Sequence, residues 1–217
     1  NVMDDVAKER KKIADILAAD FKRKGVEANV DQETGKITLR MDETFYFHRN
    51  SYELAPDAQA KIAKLIPTYA ESLFKNSSVR DRIEAISVTG FASPSYNHQY
   101  IDPTSENADA FSYNLNLSLQ RARELTDYIL GPEIGAYAFK DVLKSRMHVA
   151  GKGYMVPISK SEKDKEASKD KQCTNTSCEE CGPYDCAKSR RVEISFILKG
   201  LENVNEKIEH LNKKLEK

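Results

Sequence analysis

The chain has 217 residues, enough for one sizeable core, and its 34 basic residues balance 34 acidic ones. With a net charge of zero there is no overall field to draw nucleic acid or an anionic membrane surface, so no nucleic-acid partner is expected. No apolar run approaches the roughly 20 residues that span a bilayer, and the start at Asn1, without a signal-like segment, reads as the trimmed end of something longer.

In chain order, Val6, Ile13, Ala14, Leu17, Ala18 and Phe21 recur at helical spacing and predict an amphipathic helix over 3–24, stopped by Gly25. Two short alternating runs, 26–30 and 36–41, flank Asp-Gln-Glu-Thr-Gly and predict a hairpin. Over 56–74, Ala60, Ile62, Ala63, Ile66, Tyr69 and Leu73 share a helical face, with a bend or interruption expected at Pro67. The β-rich run 82–92 predicts a buried strand with a close-packed exit at Gly90. A polar loop is expected over 93–112. A helix follows over 115–130, carried by Leu119, Ala122, Leu125 and Ile129 and closed by Gly131-Pro132.

Two more strands are expected at 147–150 and 191–198. Between them the run 159–172 is too polar to offset its own ordering entropy and reads as a mobile loop. Four cysteines, Cys173, Cys178, Cys181 and Cys186, cluster just beyond it as a local device. Past Gly200, Leu201, Val204, Ile208, Leu211 and Leu215 form the seam of a short coiled coil. Strands alternating with helices around one core suggest an α+β or α/β sandwich.

Three segments together resemble the OmpA/MotB-like peptidoglycan-binding family. Phe45-Tyr-Phe-His-Arg-Asn-Ser-Tyr-Glu-Leu-Ala-Pro56 is similar to the family's strand and L-x-P entry to the first helix. Ile86-Ser-Val-Thr-Gly-Phe-Ala-Ser93 is like a strand ending in G-x-T-D, and Tyr113-Asn-Leu-Asn-Leu-Ser-Leu-Gln-Arg-Ala122 is close to Y-N-x-x-L-S-x-x-R-A. Gly151-Lys-Gly-Tyr and Ser189-Arg-Arg-Val-Glu-Ile194 complete the series, the latter similar to N-R-R-V-E-I.

The resemblance implies an α+β, βαβαββ sandwich with a mixed sheet covered by helices. It divides the chain into an N-terminal linker helix (1–25), the binding domain (26–199, with insertions 93–112 and 157–188) and a C-terminal helix (200–217). It implies non-catalytic binding of a diaminopimelate-type stem peptide, whose end carries a carboxylate and an ammonium. Arg121 is the implied carboxylate fork, with Asn114 at the helix start as a cap or a ligand contact, and with Tyr113 and Leu117 beside them.

The family's acid aligns with Ser93, which carries no charge. Asp102, Glu106 and Asp109 of the inserted loop are candidates to replace it, Asp102 first. Of Arg190 and Arg191, one is expected to pack as structure, and a role near the pocket stays open for the pair. The implied parent is a membrane protein such as a motor stator or channel subunit, anchored in the inner membrane with this domain in the periplasm; an outer-membrane anchor is the alternative. Pairing of stator-type relatives and the heptad seam imply a homodimer.

In an oxidising periplasm the four cysteines are expected to form disulfides, with four-thiolate zinc and a redox-active Cys178/Cys181 pair as alternatives. His48, His98, His148 and His210 have no metal-ligand spacing, and the acids of 102–109 lack a calcium-loop ladder, so neither metal nor other cofactor is expected. No hydrolase motif is evident.

Overall fold

The computed structural model of the chain describes residues 2–40, 52–161 and 180–200. Helix α1 (Val2–Lys24) places Asp4 and Asp5 in its first turn and Lys22, Arg23 and Lys24 in its last, each complementing the helix dipole. It ends in a left-handed Gly25, with Val26 N–H donating to the Phe21 carbonyl and Gly25 N–H to that of Lys22. Its face of Ile13, Ala14, Leu17 and Phe21 is fully buried and packs against α2 (Pro56–Phe74). The helix expected as a linker therefore forms part of the common core.

The expected hairpin is only partly formed. Strand β1 (Ile37–Arg40) is present, but the run 26–30 contributes just a bridge from Val30 to Ile37. Val26 is used in the helix cap, and the Asp31 carboxylate gathers Glu33 N–H, Thr34 N–H and the Thr34 hydroxyl into a tight turn. That leaves β1 to pair antiparallel with β6 (Arg191–Leu198) instead. Helix α2 runs through Pro67 without interruption. One backbone hydrogen bond is lost there, but Ile62, Leu65, Ile66, Tyr69 and Leu73 on either side are locked into the core.

After a short α3 (Ser77–Arg80), β2 (Ile83–Phe91) runs through the middle of a four-stranded sheet of order β1-β6-β2-β5, parallel to β5 (Met147–Gly151) and antiparallel to β6. Ile86 and Val88 of β2 stand opposite Phe196 and Ile194 of β6 on the buried face, while Ser87, Thr89, Glu193 and Ser195 share the half-exposed one. This is the expected α+β, βαβαββ arrangement with a mixed sheet.

The span read as polar loop holds more order than expected. It contains a two-stranded ribbon, β3 (Ser95–Tyr96) and β4 (Gln99–Tyr100), and α4 (Ala108–Leu130) begins seven residues before the periodic pattern does. Asn107 caps α4 by accepting from Ala110 N–H, a signal that its polar neighbours conceal. Two short helices, α5 (Lys140–Arg146) and α6 (Cys186–Ser189), lead into β5 and β6. The heptad seam of 201–217, the first family-like segment up to Ser51, and Cys173 and Cys178 lie outside the described residues.

Candidate functional site

Where β2 leaves the sheet, α4 crosses it at very short range. A Cβ on Gly90 would sit 1.9 Å from the Ser118 carbonyl oxygen, and one on Gly151 would sit 2.8 Å from the Leu119 nitrogen, so both positions admit only glycine. Ser118 completes the seat: its hydroxyl donates to the Leu115 carbonyl and accepts from Gly153 N–H. With α4 fixed there, Asn114, Leu117 and Arg121 fall on one helical face and look into a cavity of about 200 Å³. Its other walls are the exit of β2 (Ala92, Ser93), the β3–β4 ribbon (Ser95, Tyr96, Asn97, His98) and Arg190 just before β6.

Arg121 is 1% exposed and belongs to the inner end of this cavity, whereas Asn97, His98 and Tyr113 are exposed at its rim. Asn114 is not at the helix start as expected. It lies two turns in, buried, and its amide N–H groups donate to the carbonyls of Ser95 and Ala110 at 3.0 Å. Capping belongs to Asn107, and Asn114 instead ties the ribbon to the helix. The Tyr96 and Tyr113 rings meet at 5.5 Å, a second tie between the same elements.

Ser93, Tyr113, Asn114, Leu117 and Arg121 therefore come together as the sequence implies, but Asp102 does not join them. Its side chain is exposed, and its carboxylate accepts from the backbone N–H and the hydroxyl of Thr104 within its own turn, which hold it below the usual carboxylate range. Glu106 sits elsewhere, in a shallow apolar depression beside Phe111 and Met155. Asp109 falls in the first turn of α4, where it favours the helix dipole. None of the three acids lines the Arg121 cavity.

The β3–β4 ribbon lies where polarity alone predicts a loop. Its turn residues Asn97 and His98 both adopt positive φ, as a two-residue hairpin requires, and an asparagine between two tyrosines was the available signal. A cystine loop backs this wall. Cys181 and Cys186 are joined in a disulfide, Tyr184 packs near Tyr100, Gly182 lies against the Tyr100 ring, and Glu180 N–H donates to the His98 carbonyl. Pairing Cys181 with Cys186 overturns both the four-thiolate zinc site and the Cys178/Cys181 redox pair. Among the described residues no three His, Cys, Asp or Glu side chains gather as a metal set.

The loop continues into α6, capped by Asp185, and delivers Arg190 to the cavity and Arg191 to the sheet. Arg191 is saturated within the fold. Its Nε donates to Glu193 at 2.7 Å, Nη1 reaches the carbonyls of Val156 and Ser189, and the guanidinium lies 3.9 Å over the Phe91 ring. Of the arginine pair, then, the second is structural and the first borders the cavity.

Neither a protein-family model nor a curated protein sequence matches this chain. Solved structures resemble it. A MotB-like protein from Desulfovibrio vulgaris aligns over 92% of this chain and 98% of its own at 22% identity, with a TM-score of 0.50. The cell wall anchor of the T6SS from Pseudomonas aeruginosa aligns over 88% and 99% at 20% identity and 0.46. The periplasmic domain of Helicobacter pylori MotB aligns over 82% and 85% at 15% identity and 0.43. The first of these likenesses carries the fold.

Proposed function

We propose, for a chain with the OmpA/MotB-like fold, that it is a non-catalytic anchor that holds peptidoglycan through the Arg121 cavity. The observation that carries this reading is a guanidinium 1% exposed at the inner end of a ligand-sized hollow, on a helix fixed by two glycine contacts. A planar, permanently charged fork held in place suits the carboxylate of a diaminopimelate-type stem peptide. Ser93, Asn114, Tyr113 and Leu117 supply the polar and apolar walls around it.

The Cys181–Cys186 disulfide supports an oxidising compartment, the periplasm. Among the described residues no helix is long and apolar enough to cross a membrane. The role is then to tether a membrane parent, such as a motor stator of the inner membrane, to the wall. Purified sacculi should pull down the chain, and Arg121→Ala should abolish the pulldown while circular dichroism stays unchanged; equal pulldown of the variant overturns the assignment. The heptad run 201–217 is proposed to pair two copies, with a tail packed on its own domain as the alternative. Light scattering should give a dimer that becomes monomeric on truncation after Gly200, and a monomer at every concentration contradicts the pairing.

A further inference from the structure

A second hollow lies at the start of α4, in a stretch of lopsided charge. The chain carries 34 basic residues, yet from Ile83 to Gln120 it has no lysine or arginine, while Glu84, Asp102, Glu106 and Asp109 fall within that span. The hollow measures about 510 Å³, and its lining includes Pro103, Glu106, Ala108, Phe111, Tyr154 and Met155. Phe111 and Met155 are 40% and 48% exposed, whereas Tyr154 is 1% exposed and meets the Phe111 ring edge-on at 6.2 Å. Both walls are held by their own fold. Next to Tyr154, Gly153 N–H donates to the Ser118 hydroxyl and the Gly153 carbonyl accepts from Ala92 N–H. Opposite, Thr104 and Ser105 close a turn on Asp102, and Asn107 caps α4. Exposed apolar groups that are already ordered lose little further freedom when a partner covers them.

The hollow is shallow and open, so it suits a segment laid across it better than an enclosed small molecule. Its charge selects the kind of segment. Asp109 offsets the positive end of the α4 dipole, which leaves the exposed Glu106 and Asp102 to set a negative sign at the rim. Lys152, the basic residue nearest in the chain to either wall, does not line the hollow. We propose that the hollow docks a basic segment of a partner protein, with an apolar side chain seated on Phe111 and Met155 and an adjacent lysine or arginine over the Glu106 rim. It shares no lining residue with the Arg121 cavity, so it gives the chain a second attachment that stands or falls independently of wall binding.

The test is fluorescence polarisation of the full chain with a short labelled peptide of alternating lysine and leucine, against one twin with glutamate for lysine and another with serine for leucine. The lysine–leucine probe should bind. Each twin should bind more than about 10-fold weaker, because one meets like charge and the other leaves the apolar seat empty. Phe111→Ala should weaken the probe about 10-fold, as loss of an aromatic anchor does, and Glu106→Gln about 3-fold, the loss of one exposed ion pair. Both side chains are exposed, so both variants should keep the parent's circular dichroism and its pulldown by sacculi. The proposal is overturned if the probe does not bind, binds both variants as tightly as the parent, or binds no better than its glutamate twin. It is also overturned if light scattering shows a parent dimer that Phe111→Ala makes monomeric, since a second copy then covers the hollow.

Discussion

Arg121 and Arg191 are both buried, at 1% and 4% exposure, but Arg121 lines the cavity and Arg191 does not. Arg191 meets a carboxylate, two carbonyls and an aromatic face, all from its own chain, and spans the gap between β6 and the 153–156 turn. Arg121 borders a cavity whose rim is exposed to water. Burial alone therefore says little about what an arginine does. A buried guanidinium enclosed by its own fold is structure, and one that opens onto a hollow is a candidate for binding.

The contrast can be broken most sharply at Arg191. Arg191→Ala leaves Glu193 half-buried without its closest cation and should cost about 3 kcal/mol of stability. For a chain of this size that is a fall of about 10 °C in melting temperature, read by calorimetry. Arg121→Ala should lower the melting temperature by less than Arg191→Ala does, while abolishing sacculus binding. Equal destabilisation by both variants would erase the distinction.

The cystine loop tests how far the cavity depends on its outer wall. Replacing Cys181 and Cys186 together by serine releases a short loop closure worth about 2 kcal/mol. It also loosens the wall carrying His98 and Arg190, so affinity for sacculi should drop a fewfold as the competent geometry becomes only partly populated. Unchanged affinity would show that α4 and the β2 exit suffice. The smallest effect belongs to Asp102→Asn, which should leave sacculus binding unaltered. Because its folded-state pKa is lowered, the Asp102–Thr104 turn contributes above the ordinary carboxylate pKa and is lost as pH falls through the depressed value. A loss of binding in that acid window that disappears in Asp102→Asn would return this residue to the site.

Much of this was legible in the sequence where periodicity or glycine spacing reports directly on packing. Gly90, the predicted close-packed exit, lies against Ser118, and the run around Arg121 puts that residue in the cavity lining of α4. What stayed hidden was decided by contacts between distant segments. The Asn107 cap lies inside a polar stretch, so periodicity alone starts α4 too late and puts the cap at Asn114. The replacement acid failed for a local reason, since Asp102 satisfies its carboxylate two residues away on Thr104. The Cys181–Cys186 pairing cannot be deduced from four cysteines alone, because spacing leaves three connectivities open.

The most direct test of the central claim is arginine side-chain NMR during titration with a soluble stem tripeptide ending in diaminopimelate. The Nε–Hε resonance of Arg121, assigned through Arg121→Lys, should move and saturate with ligand, while that of Arg191, held on Glu193, stays in place. A titration that binds the peptide yet leaves the Arg121 resonance unmoved would contradict the account.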